Sequence, residues 1–159
     1  MGSAPSEEQD TVPALLFRVR SRLCALPLEH VIETMRPLPI EPLAGAPVAV
    51  KGMALIRGAP VPVIALAALI DDAAEQSGRF ITIRAGKEQI ALTVDSVLGV
   101  HRIATASLQD LPMLLQDADN KAVSAIGAVD AELLLILNAA RLVPDGLWQL
   151  LSTSGVTEL

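Results

Sequence analysis

Residues 47–66 read PVAVKGMALIRGAPVPVIAL, and this stretch decides the fold class. Two apolar runs of β type, Val48–Ile56 and Val61–Leu66, flank Arg57-Gly58-Ala59-Pro60. Strand-like runs separated by a few residues of turn chemistry describe a hairpin with a short loop. Arg57 stands in nearly continuous apolar sequence, and its guanidinium stays charged at any accessible pH. Desolvating it without a partner is costly, so it is expected to bond to a partner or to sit at the rim of a groove.

Outward from this hairpin the same grammar repeats. Strands are expected near Leu15–Arg20, Leu23–Pro27, Val31–Arg36, Ala49–Arg57 and Val61–Leu66, then a break at Asp71–Gly78. Further strands follow near Arg79–Arg84, Gln89–Asp95, Val97–Ile103, Ser124–Val129 and Leu133–Asn138. Ten short strands with turns between them predict an all-β barrel or sandwich rather than a parallel sheet. Helical patches are few: Leu66–Ile70, Ala139–Leu142 and a C-terminal Gly146–Leu151. The polar, acidic residues 1–12 are expected to form a disordered tail.

A weak internal repeat sharpens the architecture. FRVRSRLCALPLEHV (17–31) aligns with FITIRAGKEQIALTVDSV (80–97), with Phe17 (shifted by one step), Val19 and Arg20 set against Phe80, Ile83 and Arg84 and a longer turn in the second copy. Ala25-Leu26, Leu28, Glu29 and Val31 then match Ala91-Leu92, Val94, Asp95 and Val97. Later, Ile64, Ala67-Ala68 and Ile70 match Ile136, Ala139-Ala140 and Leu142. Each half holds about five of the expected strands, which predicts two similar five-stranded barrels, one roughly 15–70 and one roughly 79–142, with room for strands to exchange between them. The second half has no counterpart of Arg57: Val129-Asp130-Ala131-Glu132 stands at the corresponding turn.

Composition excludes several function classes. Hydrophobic residues make up 52% and aromatics 2%, so the core must be built from Leu, Val, Ile and Ala. A net charge of −6 and scarce stacking rings argue against nucleic acid as a partner. The one cysteine, Cys24, leaves no internal disulfide and reads as a small buried hydrophobe. The longest uncharged run, Gly58–Ile70, contains two prolines and is too short to span a membrane. No basic-then-apolar leader is evident, and a cytoplasmic location is expected.

Catalytic constellations are absent. His30 and His101 each lie beside a valine in strand-like sequence, and no zinc site can be assembled from two isolated histidines and one cysteine. The segment Gln116–Lys121 lacks the glycine and glutamate of a calcium loop and reads as solvated. Asp95, in IALTVDSVLGV, has no partner to separate two pKa values and reads as a turn residue, with Glu29 at the equivalent place. No enzyme activity, metal or cofactor is expected.

Four motifs then resemble the CheW-like domain family. The marker P-x-x-x-x-G-x-x-N-L-R-G-x-x-x-P-V-x-x-L appears as Pro47, Gly52, Leu55-Ile56-Arg57-Gly58, Pro62-Val63 and Leu66. A strand-and-turn marker appears as Ala91–Val97, and a glycine followed by an aliphatic hairpin appears as Ile126-Gly127 and Leu134–Asn138. An early V-x-E-I element appears as Val31-Ile32-Glu33-Thr34. Two residues depart from the pattern: Leu55 replaces the family's asparagine, and Ala91 replaces the glycine before the V-D strand.

The resemblance implies one domain over 13–144, made of two SH3-like five-stranded barrels with short helices, and a helix or tail over 145–159. It implies a non-catalytic adaptor that couples chemoreceptors to a CheA-type histidine kinase in bacterial chemotaxis. The protein would be cytoplasmic, recruited to receptor arrays and monomeric alone. Carried over by motif, Val31, Glu33, Arg57, Gly58 and Val97 would meet the cytoplasmic tip of a receptor, in a groove with an apolar floor and a charged residue on each side. Lys51, Leu98, Gly99 and Val100 would face the regulatory domain of the kinase. Leu55 supports an alternative, a divergent paralogue that keeps one of these partners in a parallel motility or developmental pathway.

Overall fold

The computed structural model describes residues 10–70, 78–110, 122–144 and 147. The chain runs β1 (Thr11–Val19), β2 (Arg22–Pro27), a 3₁₀ turn (Leu28–His30), β3 (Val31–Met35), β4 (Val50–Ile56), β5 (Ala59–Ala65) and α1 (Leu66–Ile70). It continues as β6 (Arg79–Ala85), β7 (Glu88–Val94), β8 (Ser96–Ala104), a 3₁₀ turn (Thr105–Ser107) and the short β9 (Gln109–Asp110). β10 (Val123–Val129), β11 (Glu132–Leu137) and a 3₁₀ turn (Ala139–Arg141) complete it. All ten strands read from the sequence are present; β9 adds a two-residue eleventh.

The chain halves do not map onto the two sheets. One sheet has the order β8-β1-β2-β11-β10-β9, the other β3-β6-β7-β5-β4. Each half therefore gives its first hairpin to one sheet and its later strands to the other. Strands thus exchange between the halves 15–70 and 79–142: the first hairpin of each joins the later strands of the other. Alternation and turn chemistry locate strands, but the partner of a strand is set by long-range burial that no local pattern encodes.

Register also corrects the repeat. Val31 pairs with Ile83 and Glu33 with Thr82, as Val97 pairs with Phe17 and Gly99 with Leu16. Phe17 thus corresponds to Ile83 and Arg18 to Arg84. Both hairpin turns, Arg20-Ser21 and Gly86-Lys87, have two residues, so the second copy has no longer turn. The third strands each carry one bulged residue, Ile32 in β3 and Leu98 in β8. The fourth strands do the same, at Lys51 in β4 and Ser124 in β10. Matched bulges, each adding local bend and twist, give the two sheets the same curl.

Both sheets close by one device. After β3, Glu41 crosses to the outer strand β4, its N–H donating to the Met53 carbonyl and its carbonyl accepting from the Met53 N–H, each at 2.8 Å. After β8, β9 crosses to the outer strand β10 in the same way. Closure over β4 requires Gly52: its φ is +145°, and a Cβ there would lie 2.0 Å from the Glu41 carbonyl oxygen. We call the six-stranded unit the first barrel and the five-stranded unit the second.

Three hydrophobic clusters follow from this geometry. Ala14, Leu16, Leu23, Ala25, Leu134 and Ile136 fill the first barrel, and Ala54, Ile56, Val61, Val63, Phe80 and Ala91 fill the second. The alternate residues of the same central strands, such as Phe17, Cys24 and Leu26 against Ile81, Ile90 and Leu92, meet in a larger shared core. β1, β2, β6 and β7 are thus covered on both faces, so they read as continuous apolar runs rather than alternation. Cys24 is fully buried there, and burial pushes its thiol up to about 12.

Sequence boundaries shift at three places. Of the expected tail over 1–12, residues 1–9 lie outside the described residues, while Thr11 and Val12 belong to β1 and pair with Ala104 and Ile103 in β8. The four-residue loop Arg57–Pro60 contracts to Arg57-Gly58, with Ala59 paired to Ile56. Pro60 and Pro62 are tolerated inside β5 because its parallel ladder with β7 begins only at Val63. Asp95 lies between β7 in one sheet and β8 in the other, where its N–H donates to the Arg18 carbonyl at 2.9 Å, so it marks a crossing between barrels rather than a hairpin turn. The break at 71–77, the loop 116–121 and the C-terminal helix lie outside the described residues, apart from Leu147, which is buried in the shared core. Among the described residues, no helix is long and apolar enough to cross a membrane.

Candidate functional site

Arg57 occupies the first position of the two-residue turn between β4 and β5. It has φ +52° and Gly58 has φ +84°, so both residues take the backbone that a tight I′ hairpin needs. The turn aims the Arg57 side chain across the open end of the second barrel to β3. There its Nε donates to Glu33 Oε2 at 2.8 Å and its Nη2 to Glu33 Oε1 at 2.7 Å. This bidentate pair joins residues 24 apart in sequence, on strands at opposite edges of one sheet.

The pair holds the Glu33 carboxyl below its ordinary range, chiefly through the hydrogen bonds from Arg57. Its two members differ in exposure: the Arg57 side chain is 76% exposed and that of Glu33 is 25% exposed. Two of the five guanidinium N–H groups are used in the pair, and the outer edge of the fork remains in water. A charged residue on each side of a groove was the expectation. Instead the two opposite charges meet directly, so the feature is a neutralised clamp with one exposed cationic edge.

Val31 lies two residues before Glu33 on the same strand, partly buried against the shared core. Gly58 completes the turn. Val97 belongs elsewhere: it is the second residue of β8 in the first barrel, where it is the structural counterpart of Val31 and packs on the same core. The structure therefore brings Glu33 to Arg57, with Gly58 beside it in the turn and Val31 packed on the shared core two residues before Glu33, and leaves Val97 on the other sheet.

Lys51 and Leu98–Val100 lie on outer strands of different sheets, β4 and β8. Lys51 and Leu98 are both bulged residues, turned out of the ladder, and Leu98 and Val100 are about half exposed. Bulges on outer strands discourage strand addition, so a partner here would be met by side chains.

Two further surface features lie outside the receptor and kinase residues named from the sequence. Leu55 is 69% exposed and, with Leu38, Pro39, Met53 and Pro60, lines a half-open cavity of about 370 Å³ beside the Arg57 turn. Its signal was available: in β4 the buried phase is Val50, Gly52, Ala54 and Ile56, so Leu55 is an apolar residue on the outward phase. At the end of the first barrel, Arg18 forms a second bidentate pair with Glu132, its Nη2 donating to Oε1 at 2.8 Å and its Nη1 to Oε2. These residues are 114 apart, and no local pattern announces the contact.

With this geometry described, comparison with known proteins gives a consistent picture. The family model for the CheW-like domain matches residues 13–146. A crystal structure of the scaffolding protein TtCheW from Thermoanaerobacter tengcongensis is similar in fold, with a TM-score of 0.73 and 22% identity over 80% of this chain and 89% of that one. No curated protein sequence matches the chain.

Proposed function

The chain belongs to the CheW-like domain family, and from that premise we propose that it is a non-catalytic coupling scaffold of a bacterial chemosensory system. The observation that carries this reading is the family match across nearly all of the described barrels. In the proposal the protein works in the cytoplasm at receptor arrays and bridges the cytoplasmic tip of a chemoreceptor and the regulatory domain of a CheA-type kinase.

The receptor surface is assigned to Val31, Glu33, Arg57 and Gly58; Val97, on the other sheet, is left out of it. Physically this suits a helix laid against the barrel end. Apolar contact comes from β3, and the outer edge of the Arg57 fork offers N–H donors to a carboxylate or carbonyl of the helix. Glu33 serves by holding that fork in one orientation. The kinase surface is assigned to Lys51, Leu98, Gly99 and Val100, where half-exposed apolar side chains on bent outer strands would be covered by the partner.

Pull-down with the cognate receptor tip and kinase regulatory domain tests the proposal. Both should be retained, and retention of neither overturns it. Arg57→Ala should weaken receptor binding by roughly ten-fold, the loss expected for charge-assisted hydrogen bonds, with an unchanged circular dichroism spectrum. Loss of the spectrum would make Arg57 a structural residue instead. The exposed Leu55 favours one variation on this reading, a paralogue that retains a single partner. Titration that finds both partners bound with similar affinity excludes it.

A further inference from the structure

The second barrel buries polar side chains where the first buries apolar ones. Thr82 on β6 and Thr93 on β7 are the buried polar residues among the described residues, 0% and 1% exposed. Both take the inward phase of their strands: Thr82 pairs with Ala91 and Thr93 with Phe80, and Ala91 and Phe80 belong to the cluster that fills this barrel. Register places Leu16 of β1 at the position of Thr82, since Leu16 pairs with Gly99 as Thr82 pairs with Glu33. Leu16 is buried in the core of the first barrel. A hydroxyl thus stands where the duplicate keeps a larger apolar side chain, at a cost in burial that leucine avoids.

The Thr82 hydroxyl acts across the ladder. Its Oγ1 donates to the Glu33 carbonyl at 3.3 Å. Glu33 follows the bulged Ile32, and the bulge lets Val31 face the shared core while Glu33, opposite Thr82, faces the interior of the second barrel. Strict alternation would put Val31 and Glu33 on one face and turn Glu33 away from Arg57. The hydroxyl therefore ties down the residue that the bulge redirects, and Glu33 in turn holds Arg57 through both carboxylate oxygens. In the first barrel Gly99 has no side chain to aim, and the residue opposite it is leucine. Thr93 supplies a contrast within the same barrel, because its buried hydroxyl has no hydrogen-bond partner among the described residues.

We infer that Thr82 is a positioning residue for the receptor contact: it fixes the bulge of β3 and, through Glu33, the orientation of the Arg57 fork. The inference rests on the receptor surface proposed above, but the state of the clamp is measurable without a receptor.

Carboxyl NMR titration of Glu33 and binding of the cognate receptor tip, both on the full chain, test the inference. Thr82→Val keeps the shape and removes the hydroxyl. In this variant the Glu33 carboxyl, held low in the wild type, should move up toward its ordinary range, and receptor binding should weaken about three-fold. Thr82→Ser keeps the hydroxyl and loses a methyl group, so it should melt lower than the wild type yet hold Glu33 and the receptor as the wild type does. Thr93→Val should change neither readout. If Thr82→Val does not fold, Thr82→Ala makes the same test. The inference is overturned if the Glu33 carboxyl is unmoved in the folded variant without the hydroxyl, if Thr82→Ser releases it as well, or if Thr93→Val moves it equally. A wild-type chain that does not retain the receptor tip overturns the receptor reading instead, and the Glu33 titration then still decides whether Thr82 orients the clamp.

Discussion

The two barrels share strand order, bulge positions and a closing crossover, yet their ends carry different chemistry. In the second barrel, a turn of Arg57-Gly58 reaches to Glu33 on β3. In the first, the turn is Asp130-Ala131, and it is the next residue, Glu132, that reaches back to Arg18 on β1. Neither pair has a counterpart in the other barrel: Glu33 corresponds to Gly99, Arg57 to Asp130, and Glu132 to Ala59. A duplicated architecture fixes where backbone goes. It leaves exposed turn residues free to diverge, because they contribute little to the core. The parts that diverged are therefore where function is to be sought.

Closure offers the most severe way to break the comparison. Gly52→Val places a side chain where the Glu41 carbonyl oxygen already sits, and should cost on the order of 3–5 kcal/mol or prevent the second barrel from closing. Ala125, the corresponding residue of the first barrel, already tolerates a Cβ opposite Asp110. Ala125→Gly should therefore cost only about 1 kcal/mol. Urea denaturation of both variants checks the contrast, and similar losses would refute a glycine requirement peculiar to one barrel.

A gain of stability is expected at the turn of the first barrel. Ala131→Gly copies Gly58 at a positive φ and should stabilise by about 1 kcal/mol. If the variant is no more stable, the left-handed backbone there carries no strain.

The smallest effect concerns pH. Glu33 and Glu132 are both held below the ordinary carboxylate range by hydrogen bonds from Arg57 and Arg18. Because the folded-state pKa is depressed, each pair stabilises the fold above the unfolded carboxylate pKa. That contribution is lost as pH falls through the depressed folded value. Both pairs are solvated, so the change in stability should be slight and screened by salt. Carboxyl NMR titration should place both groups below the ordinary glutamate range, with Arg57→Ala restoring Glu33 alone.

Much of this was legible in residues 47–66 and their neighbours. Alternation in β4 and a turn containing Gly58 locate the hairpin, and the repeated Ala-Leu pairs in β2 and β7 reveal the duplication. The motif around Arg57-Gly58 points to the family. Pairing was not legible: β1 and β2 join strands from the far end of the chain, because apolar runs buried on both faces specify depth and not neighbour. For the same reason the Arg18–Glu132 pair, spanning 114 residues, could not be read. Glu33 and Arg57 were both named in the sequence, but their direct contact depends on the crossover at Glu41, and a crossover has no periodicity to detect.

The sequence by itself determined ten strands, an aromatic-poor aliphatic core and a duplicated plan, since each follows from local sterics and the burial of alternate side chains. Tertiary structure decided which strands pair, how each sheet closes on itself, and which charges meet. Those outcomes depend on bringing distant segments together, and the free energy that selects among them comes from burying both faces of the central hairpins in one shared core.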